Sequence, residues 1–400
     1  MKVLLINSVY REGSTGKIVA SIADTLREQG HEVQTCYGIG NSHIDEYSEK
    51  ICGNLEHSIN AVLSRITGIP YGGVFLSNIR IKRIIKQFKP DVVHVHCINA
   101  SIINVYSLFE YLAKTGIKTV LSLHAEIFHT AGCEHAYECE EWKTGCHKCL
   151  NYKQKVSSWF FEGSAASYKK MFKAINSFST EKLIITAVSP WLADRAKLSP
   201  IMKNYKVIYV PNGVETSIFH YKKDSNLLSR EKYKYTILFV TPYFGIEESD
   251  VKGGRFLPRI AEELSNCKFI VVASRISNSL PDLPDNVRPW GRAKTQQELA
   301  QLYSEADLTI LLSRRETFSM VTAESLCCGT AVVGFKAGGP ESIAIKEASH
   351  FVNYKDLGGL KKRIVAVLEY GYDKQSLSEK ATKIYSKEYM VDSFIKVYRI

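Results

Sequence analysis

Residues Arg314 to Glu341 read RRETFSMVTAESLCCGTAVVGFKAGGPE. The run begins where an apolar strand, Leu308 to Leu312, gives out at Ser313, and it ends just past a second strand, Ala331 to Phe335. Thr317-Phe318-Ser319 falls where the loop turns into a helix, so unpaired backbone N–H groups point outward there. Such a helix start suits phosphate or sugar hydroxyls. Glu316 precedes it, and Glu324 follows eight residues later on the helix; carboxylates are strong acceptors for sugar hydroxyls. Gly338-Gly339 makes a second loop in which a ligand can approach the backbone closely. Strand, helix and strand in this order form a parallel βαβ unit.

The same alternation runs through the chain. Lys2 to Asn7, His31 to Tyr37, Asp91 to His96 (DVVHVH), Lys118 to Leu123, Leu183 to Val188 and Lys206 to Val210 read as strands, and Ile18, Ile22 and Leu26 recur at helical spacing. The pattern restarts at Tyr235 to Val240, with a helix over Phe256 to Leu264 and a strand over Lys268 to Ala273. Near-continuous Val/Ile/Leu strands between helices mean parallel sheets covered on both faces. At 400 residues the chain exceeds one ordinary core. The expected fold is α/β, with two doubly wound parallel-sheet domains facing a central cleft. The turn-rich Pro211-Asn212-Gly213 marks the changeover. The expected domains are 1–210, with a Cys-rich insertion at 129–150, then 211–385. A terminal helix in 386–400 is expected to pack back on the first domain.

The composition is ordinary for a globular protein, with 45% hydrophobic and 23% charged residues. Lys plus Arg exceeds Asp plus Glu by 52 − 41 = 11, which favours an anionic partner. No apolar run reaches transmembrane length, and the N-terminal apolar stretch is too short for a signal h-region. A cytoplasmic location follows as an expectation, with reduced cysteines. No nucleic-acid motif accompanies the charge.

The Arg314–Glu341 string resembles the donor motif of retaining GT-B glycosyltransferases, glycosyltransferase family 4, of the bacterial polysaccharide and colanic-acid type. In order along the chain, DVVHVH and Ser122-Leu123-His124, VPNGVETSIF (Val210 to Phe219) and Lys252-Gly253 resemble further family motifs. The resemblance implies two Rossmann-like domains and a sugar transfer from a UDP- or GDP-linked donor. The acceptor would be a hydroxyl of a growing bacterial glycan (O-antigen, capsule or exopolysaccharide), carried on undecaprenyl diphosphate. By resemblance, Glu324 holds the nucleotide ribose, Glu316 the donor-sugar hydroxyls, and Thr317, Phe318, Ser319 and Met320 the sugar and diphosphate. Lys252 and Gly253 serve the diphosphate, Arg292 belongs to the base pocket, and His124 lies against the reacting sugar. The family's usual Gly-Arg pair reads Val240-Thr241-Pro242-Tyr243 here, leaving Arg275 or Arg255 as the second phosphate cation. Asp usually follows the family's histidine; here Ala125 and Glu126 do. Catalysis needs no metal or other cofactor by this resemblance. The alternative is a non-catalytic nucleotide-sugar or glycan-binding protein of the same fold.

Gly13-Ser14-Thr15-Gly16-Lys17 fails the P-loop template, because Arg11 stands at the first glycine position and Ile18 follows the lysine. It reads instead as a flexible cleft loop for acceptor and donor. Cys133, Cys139, Cys146 and Cys149 fall within 17 residues as C-x5-C-x6-C-x2-C, which suggests a structural zinc held by four thiolates, the alternatives being reduced thiols or two disulfides. His94 and His96, on one face of a strand, read as packing or cleft groups. Arg80, Lys82, Arg83, Lys86 and Lys89 lie on an amphipathic helix. Lys153 to Lys173 interleaves lysines with Trp159, Phe160, Phe161, Tyr168 and Phe172. Together they suggest peripheral docking to an anionic membrane, at the inner face of the cell membrane.

Overall fold

The structure, a computed structural model, describes residues 1–149, 151–223, 225–228 and 232–400. It divides into two compact units, Met1–Pro211 with Met390–Ile400, and Asn212–Tyr389.

The first unit is built on seven strands: β1 (Lys2–Asn7), β2 (Glu32–Tyr37), β3 (Ser48–Lys50), β4 (Val92–Val95), β5 (Lys118–Leu123), β6 (Leu183–Ala187) and β7 (Lys206–Tyr209). All pairings are parallel, in the order β3-β2-β1-β4-β5-β6-β7. Val3 to Ile6 of the central β1 are fully buried, which explains why the strand is apolar on both faces. The Gly13–Glu28 helix lays Ile18, Ile22 and Leu26 into this core; each such side chain contributes about 1.5–3 kcal/mol when fully buried. The C-terminal helix Lys387–Arg399 joins the same core through Met390, Val391, Phe394, Val397 and Tyr398. The strand order reverses between β1 and β4, and ligands bind outside the carboxyl ends of strands at such a switch point.

The second unit holds β8 (Tyr235–Phe244), β9 (Cys267–Ile276), β10 (Val287–Gly291), β11 (Leu308–Leu311), β12 (Val332–Phe335) and β13 (Ser349–Val352). Its parallel order is β10-β9-β8-β11-β12-β13. The switch point lies between β8 and β11, where Leu308 stands opposite Ile237. The helix Met320–Cys327 follows β11 and buries Ala323, Leu326 and Cys327.

Two local expectations are corrected. Gly13 to Gly16 is the first turn of a helix rather than a flexible loop. Gly16 is packed so closely under Val9 that a Cβ would stand 3.1 Å from its methyl, so the glycine serves a tight strand-to-helix turn. The expected helix over Phe256 to Leu264 is a short 3-10 turn, Gly254–Phe256, followed by the helix Leu257–Glu263.

Candidate functional site

In the second unit, the predicted donor residues gather at the β8/β11 switch point. The segment after β8 carries Lys252, and the segment after β11 carries Glu316. Lys252 Nζ donates to Glu316 Oε1 at 2.6 Å, and Ser313 Oγ donates to the same oxygen at 2.9 Å. Both charged side chains keep some solvent access, 30% and 18%, so the pair can exchange partners with a ligand.

Backbone geometry fixes each half of this pair. The Asp250 carboxylate accepts from the amides of Lys252 and Gly254, at 2.9 and 3.0 Å. Gly253 adopts φ +80°, and a Cβ there would stand 2.1 Å from the Leu312 carbonyl oxygen. Only glycine passes so close to the end of β11. Arg314 N also donates to Val251 O at 2.8 Å, tying the two segments together. On the other side, Glu316 N donates to Ala337 O and Gly339 N to Glu316 O. A Cβ on Gly339 would stand 2.4 Å from the Thr317 carbonyl carbon and 2.6 Å from Phe318 N. The Glu341 carboxylate accepts from the Ala337 and Gly338 amides at 2.9–3.0 Å, holding the glycine loop against Glu316.

The helix Met320–Cys327 starts beside this loop. Ser319, at φ +77°, is its N-cap, and its hydroxyl accepts from Thr322 N at 3.2 Å. That hydroxyl is therefore occupied by the helix itself. Phe318 is buried against Tyr385, so its backbone, not its ring, is what faces outward chemistry. Thr317 and Met320 flank these residues and are half-buried. Glu324 lies about one turn into the helix and accepts from the buried Tyr303 hydroxyl at 3.4 Å.

The two predicted arginines stand apart from this cluster. Arg275 is exposed at the carboxyl end of β9, and Arg292 is exposed just after the edge strand β10. No hydrogen bond or ion pair among the described residues ties either to Lys252 or Glu316. Arg255 is occupied, donating to Glu248 O and to the Tyr354 hydroxyl.

In the first unit, His124 lies just past β5 and is half-buried. Its Nε2 is 3.1 Å from His96 Nδ1. Burial pushes the His124 pKa down to about 4, so the ring is neutral near pH 7. Gly13 and Ser14 are exposed at the start of the first helix, and Thr15 receives a hydrogen bond from Asn7 at 3.4 Å.

Glu126 is a residue that spacing alone did not single out. Its side chain is fully buried, where it takes a 2.6 Å hydrogen bond from Arg195 Nε and one from Ala136 N. Burial alone would raise its pKa, but His129, Arg195 and the Ala136 amide outweigh that and hold it at about 2. Glu126 thus anchors the Cys-rich insertion to the rest of the unit.

Cys133, Cys139, Cys146 and Cys149 all line one cavity of about 20 Å³ with Trp142 and Tyr152, and all four are free thiols. Burial raises the pKa of Cys133 to about 11 and of Cys146 to about 12. Among the described residues, no group of three or more His, Cys, Asp or Glu side chains is arranged to hold a metal ion. The four cysteines thus share one location.

The basic helix, Leu76–Phe88, is largely committed within the unit. Arg80 donates to the buried Glu56 and to Ile51 O, Arg83 pairs with Glu49, and Lys82 lies over the Tyr111 ring. Large apolar side chains are exposed on this helix (Leu76, Ile79), on the helix Asn54–Thr67 (Leu55, Ile59, Val62) and in Trp159, Phe160 and Phe161. No described helix is long and apolar enough to cross a membrane.

Comparison with known proteins completes this picture. Residues 15–218 match Glycosyltransferase Family 4, and residues 236–370 match Glycosyl transferases group 1. The chain is 19% identical over 417 aligned positions to the putative colanic acid biosynthesis glycosyl transferase WcaC of Escherichia coli (strain K12), covering 100% of both chains. Among solved structures, the sucrose-phosphate synthase from Thermosynechococcus elongatus superposes with a TM-score of 0.71 at 14% identity, over 100% of this chain and 98% of that one. Anabaena HepE in complex with UDP-glucose superposes with a TM-score of 0.64 at 14% identity, over 99% of each chain. These likenesses show the two-domain GT-B fold.

Proposed function

Because the chain belongs to Glycosyltransferase Family 4, we propose that it transfers a sugar, with retention of configuration, from a nucleoside-diphosphate sugar to a hydroxyl of a growing lipid-linked bacterial glycan. The observation that carries this reading is the 2.6 Å Lys252–Glu316 pair at a strand switch point, beside a helix start. Lys252 neutralises the diphosphate, which gains charge as the glycosidic bond breaks. Glu316 accepts hydrogen bonds from donor-sugar hydroxyls, and Glu324 from the ribose. The amides around Thr317, Phe318 and Ser319 add positive field at the phosphates. The leaving phosphate takes the acceptor's proton as the acceptor attacks from the same face. No protein nucleophile is required.

The likeness to HepE, solved with UDP and UDP-glucose, supports a uridine diphosphate donor. The likeness to WcaC supports a polysaccharide product. Trp159, Phe160 and Phe161, 51–62% exposed, follow Lys153 and Lys155 and precede Lys169, Lys170 and Lys173. Arg65 lies over the Trp159 ring at 5.7 Å. An aromatic tip among lysines suits the interface of an anionic bilayer, where the acceptor's lipid resides. The shared cavity of the four cysteines supports a structural zinc that draws the sulfurs together; metal analysis of the purified chain tests that part.

A panel of UDP- and GDP-sugars tested for protection against thermal unfolding decides the central claim. A donor at 100 times its Kd stabilises the native state by about 2.7 kcal/mol. If no nucleotide sugar raises Tm, the reading fails.

A further inference from the structure

The first unit carries an open groove of about 660 Å³, lined from the helices Asn54–Thr67, Val105–Thr115 and Ser164–Ile175 and from the loop that follows the first of them. Leu63, Ile69, Val74, Phe75 and the buried Tyr106 make the lining largely apolar, and Lys170 and Lys173 bring cations to it. Ligand sites are commonly of this size, mostly apolar, with a few placed polar groups.

The loop wall is pinned at several points. Asn60 Oδ1 accepts from Val74 N at 2.8 Å, Asn104 Nδ2 donates to Gly73 O at 3.2 Å, and Val105 N donates to Tyr71 O at 3.0 Å. Gly73, at φ +119°, runs so close to Asn60 that a Cβ would stand 2.3 Å from its Oδ1. The groove is therefore preformed, and its wall does not relax inward to fill it.

Apolar surface continues outward from the groove. Phe75, Leu76 and Ile79 are exposed on one side, and the helix Asn54–Thr67 exposes Leu55, Ile59 and Val62 as a stripe. The same helix holds the aromatic tip at its far end. Trp159 N donates to Arg65 O at 2.7 Å, and a Cβ on Gly68 would stand 2.6 Å from Phe161 O. Lys173 pairs with Glu110 at 3.2 Å. Lys170, whose Nζ lies 5.9 Å from the Tyr106 ring, and its neighbour Lys169 are exposed, with no ion-pair partner among the described residues. A second copy of the chain is a poor occupant: a two-fold interface sets a patch against itself, so these lysines would meet their own counterparts at a cost. An anionic amphiphile matches both the apolar lining and the lysines.

We propose that this groove binds one anionic phospholipid of the bilayer, with an acyl chain along Leu63, Val74 and Phe75 and the phosphate on Lys170. This deepens the membrane part of the proposed function and rests on it, but it does not require sugar transfer. Docking then answers to a headgroup and a chain together, and not to surface charge alone.

Titration calorimetry of the full chain with monomeric alkyl phosphates tests the groove without a membrane. Octyl phosphate should bind about tenfold more tightly than hexyl phosphate, because two more methylenes are buried. Octylphosphocholine, whose headgroup has no net charge, should bind about fivefold more weakly than octyl phosphate, and inorganic phosphate should give no heat. Thr67→Trp places a large ring in the groove from an exposed position and should erase the chain-length difference. Lys170→Glu, also exposed, should weaken octyl phosphate by about tenfold or more while keeping that difference. In cosedimentation, phosphatidylcholine vesicles should retain the chain only when they contain phosphatidylglycerol, and Lys170→Glu should reduce the retention. Equal affinity for the two alkyl phosphates, a chain-length difference that survives Thr67→Trp, or self-association of the lipid-free chain that Thr67→Trp abolishes overturns the proposal. The rise in Tm with a nucleotide sugar reads the transferase claim and involves no groove residue, so the two failures are distinguishable.

Discussion

At the scale of single residues, the donor half of the site divides into groups that bind throughout and groups that act as charge develops. In the proposed reading Glu324, about one turn into its helix, accepts from the ribose, so Glu324→Ala should raise donor KM with kcat little changed. In the same reading Lys252 neutralises the charge that grows on the diphosphate, so Lys252→Ala should lower kcat by about 100-fold. Steady-state kinetics with the donor that protects against unfolding separates the two patterns. Gly339 makes a different kind of prediction. A methyl at that position would meet the Thr317–Phe318 backbone at 2.4–2.6 Å, so Gly339→Ala should cost about 1–3 kcal/mol of stability and displace the helix start. Denaturant titration and donor binding measure the two effects. The string from Arg314 to Glu341 made the helix start legible, because strand, loop and helix follow one another without a gap. The Lys252–Glu316 contact joins residues 64 apart, and only the family resemblance brought them together. Glu126 is visible in the sequence only as a departure after His124; its anchoring role comes from Arg195 and Ala136, which no local pattern links to it.

At the scale of elements, legibility followed burial. β1, β4, β5, β8 and β11 lie inside their sheets, are apolar on both faces, and stand out as runs such as DVVHVH. β3, β10 and β13 are edge strands. They carry polar residues or Pro289, as edges commonly do, and they escaped notice, whereas the remaining edge strand, β7, was legible from its Val207-Ile208 run. Glycines misled at Gly13 to Gly16, where close packing under Val9 rather than flexibility explains them. The C-terminal helix was readable from the spacing of Met390, Phe394 and Val397, yet its sequence does not reveal that Tyr398 reaches His94. Phe394 is buried in the first unit's core and against that histidine. Phe394→Ala should therefore destabilise the first unit by about 3–5 kcal/mol. Urea unfolding followed by circular dichroism tests this; a loss under 1 kcal/mol would mean the helix is only loosely docked.

At the scale of the whole molecule, the two units carry different titration loads, and acid should separate them. His94, His96, His124 and His129 all belong to the first unit, and burial holds each below the ordinary 6.5. Such a ring binds a proton in the unfolded chain near pH 6.5 but resists it in the folded one. Its contribution to stability is complete above 6.5 and drains as pH falls toward its folded value, about 4 for His124. Each ring contributes a slope of at most about 1.4 kcal/mol per pH unit in that window. Glu126, also in the first unit, acts lower. Held at about 2 rather than 4.5, it stabilises fully above 4.5 and is lost only between 4.5 and about 2. The donor residues Lys252, Glu316 and Glu324 all lie in the second unit. Calorimetry from pH 7.5 down to 5 should therefore show the first unit's transition moving to lower temperature faster than the second's. A nucleotide sugar added at pH 5 should raise the second transition and leave the first in place, because mass action stabilises only the unit that binds. A single transition that responds to acid and donor together would show that the two cores unfold as one cooperative body, and would refute this division of labour.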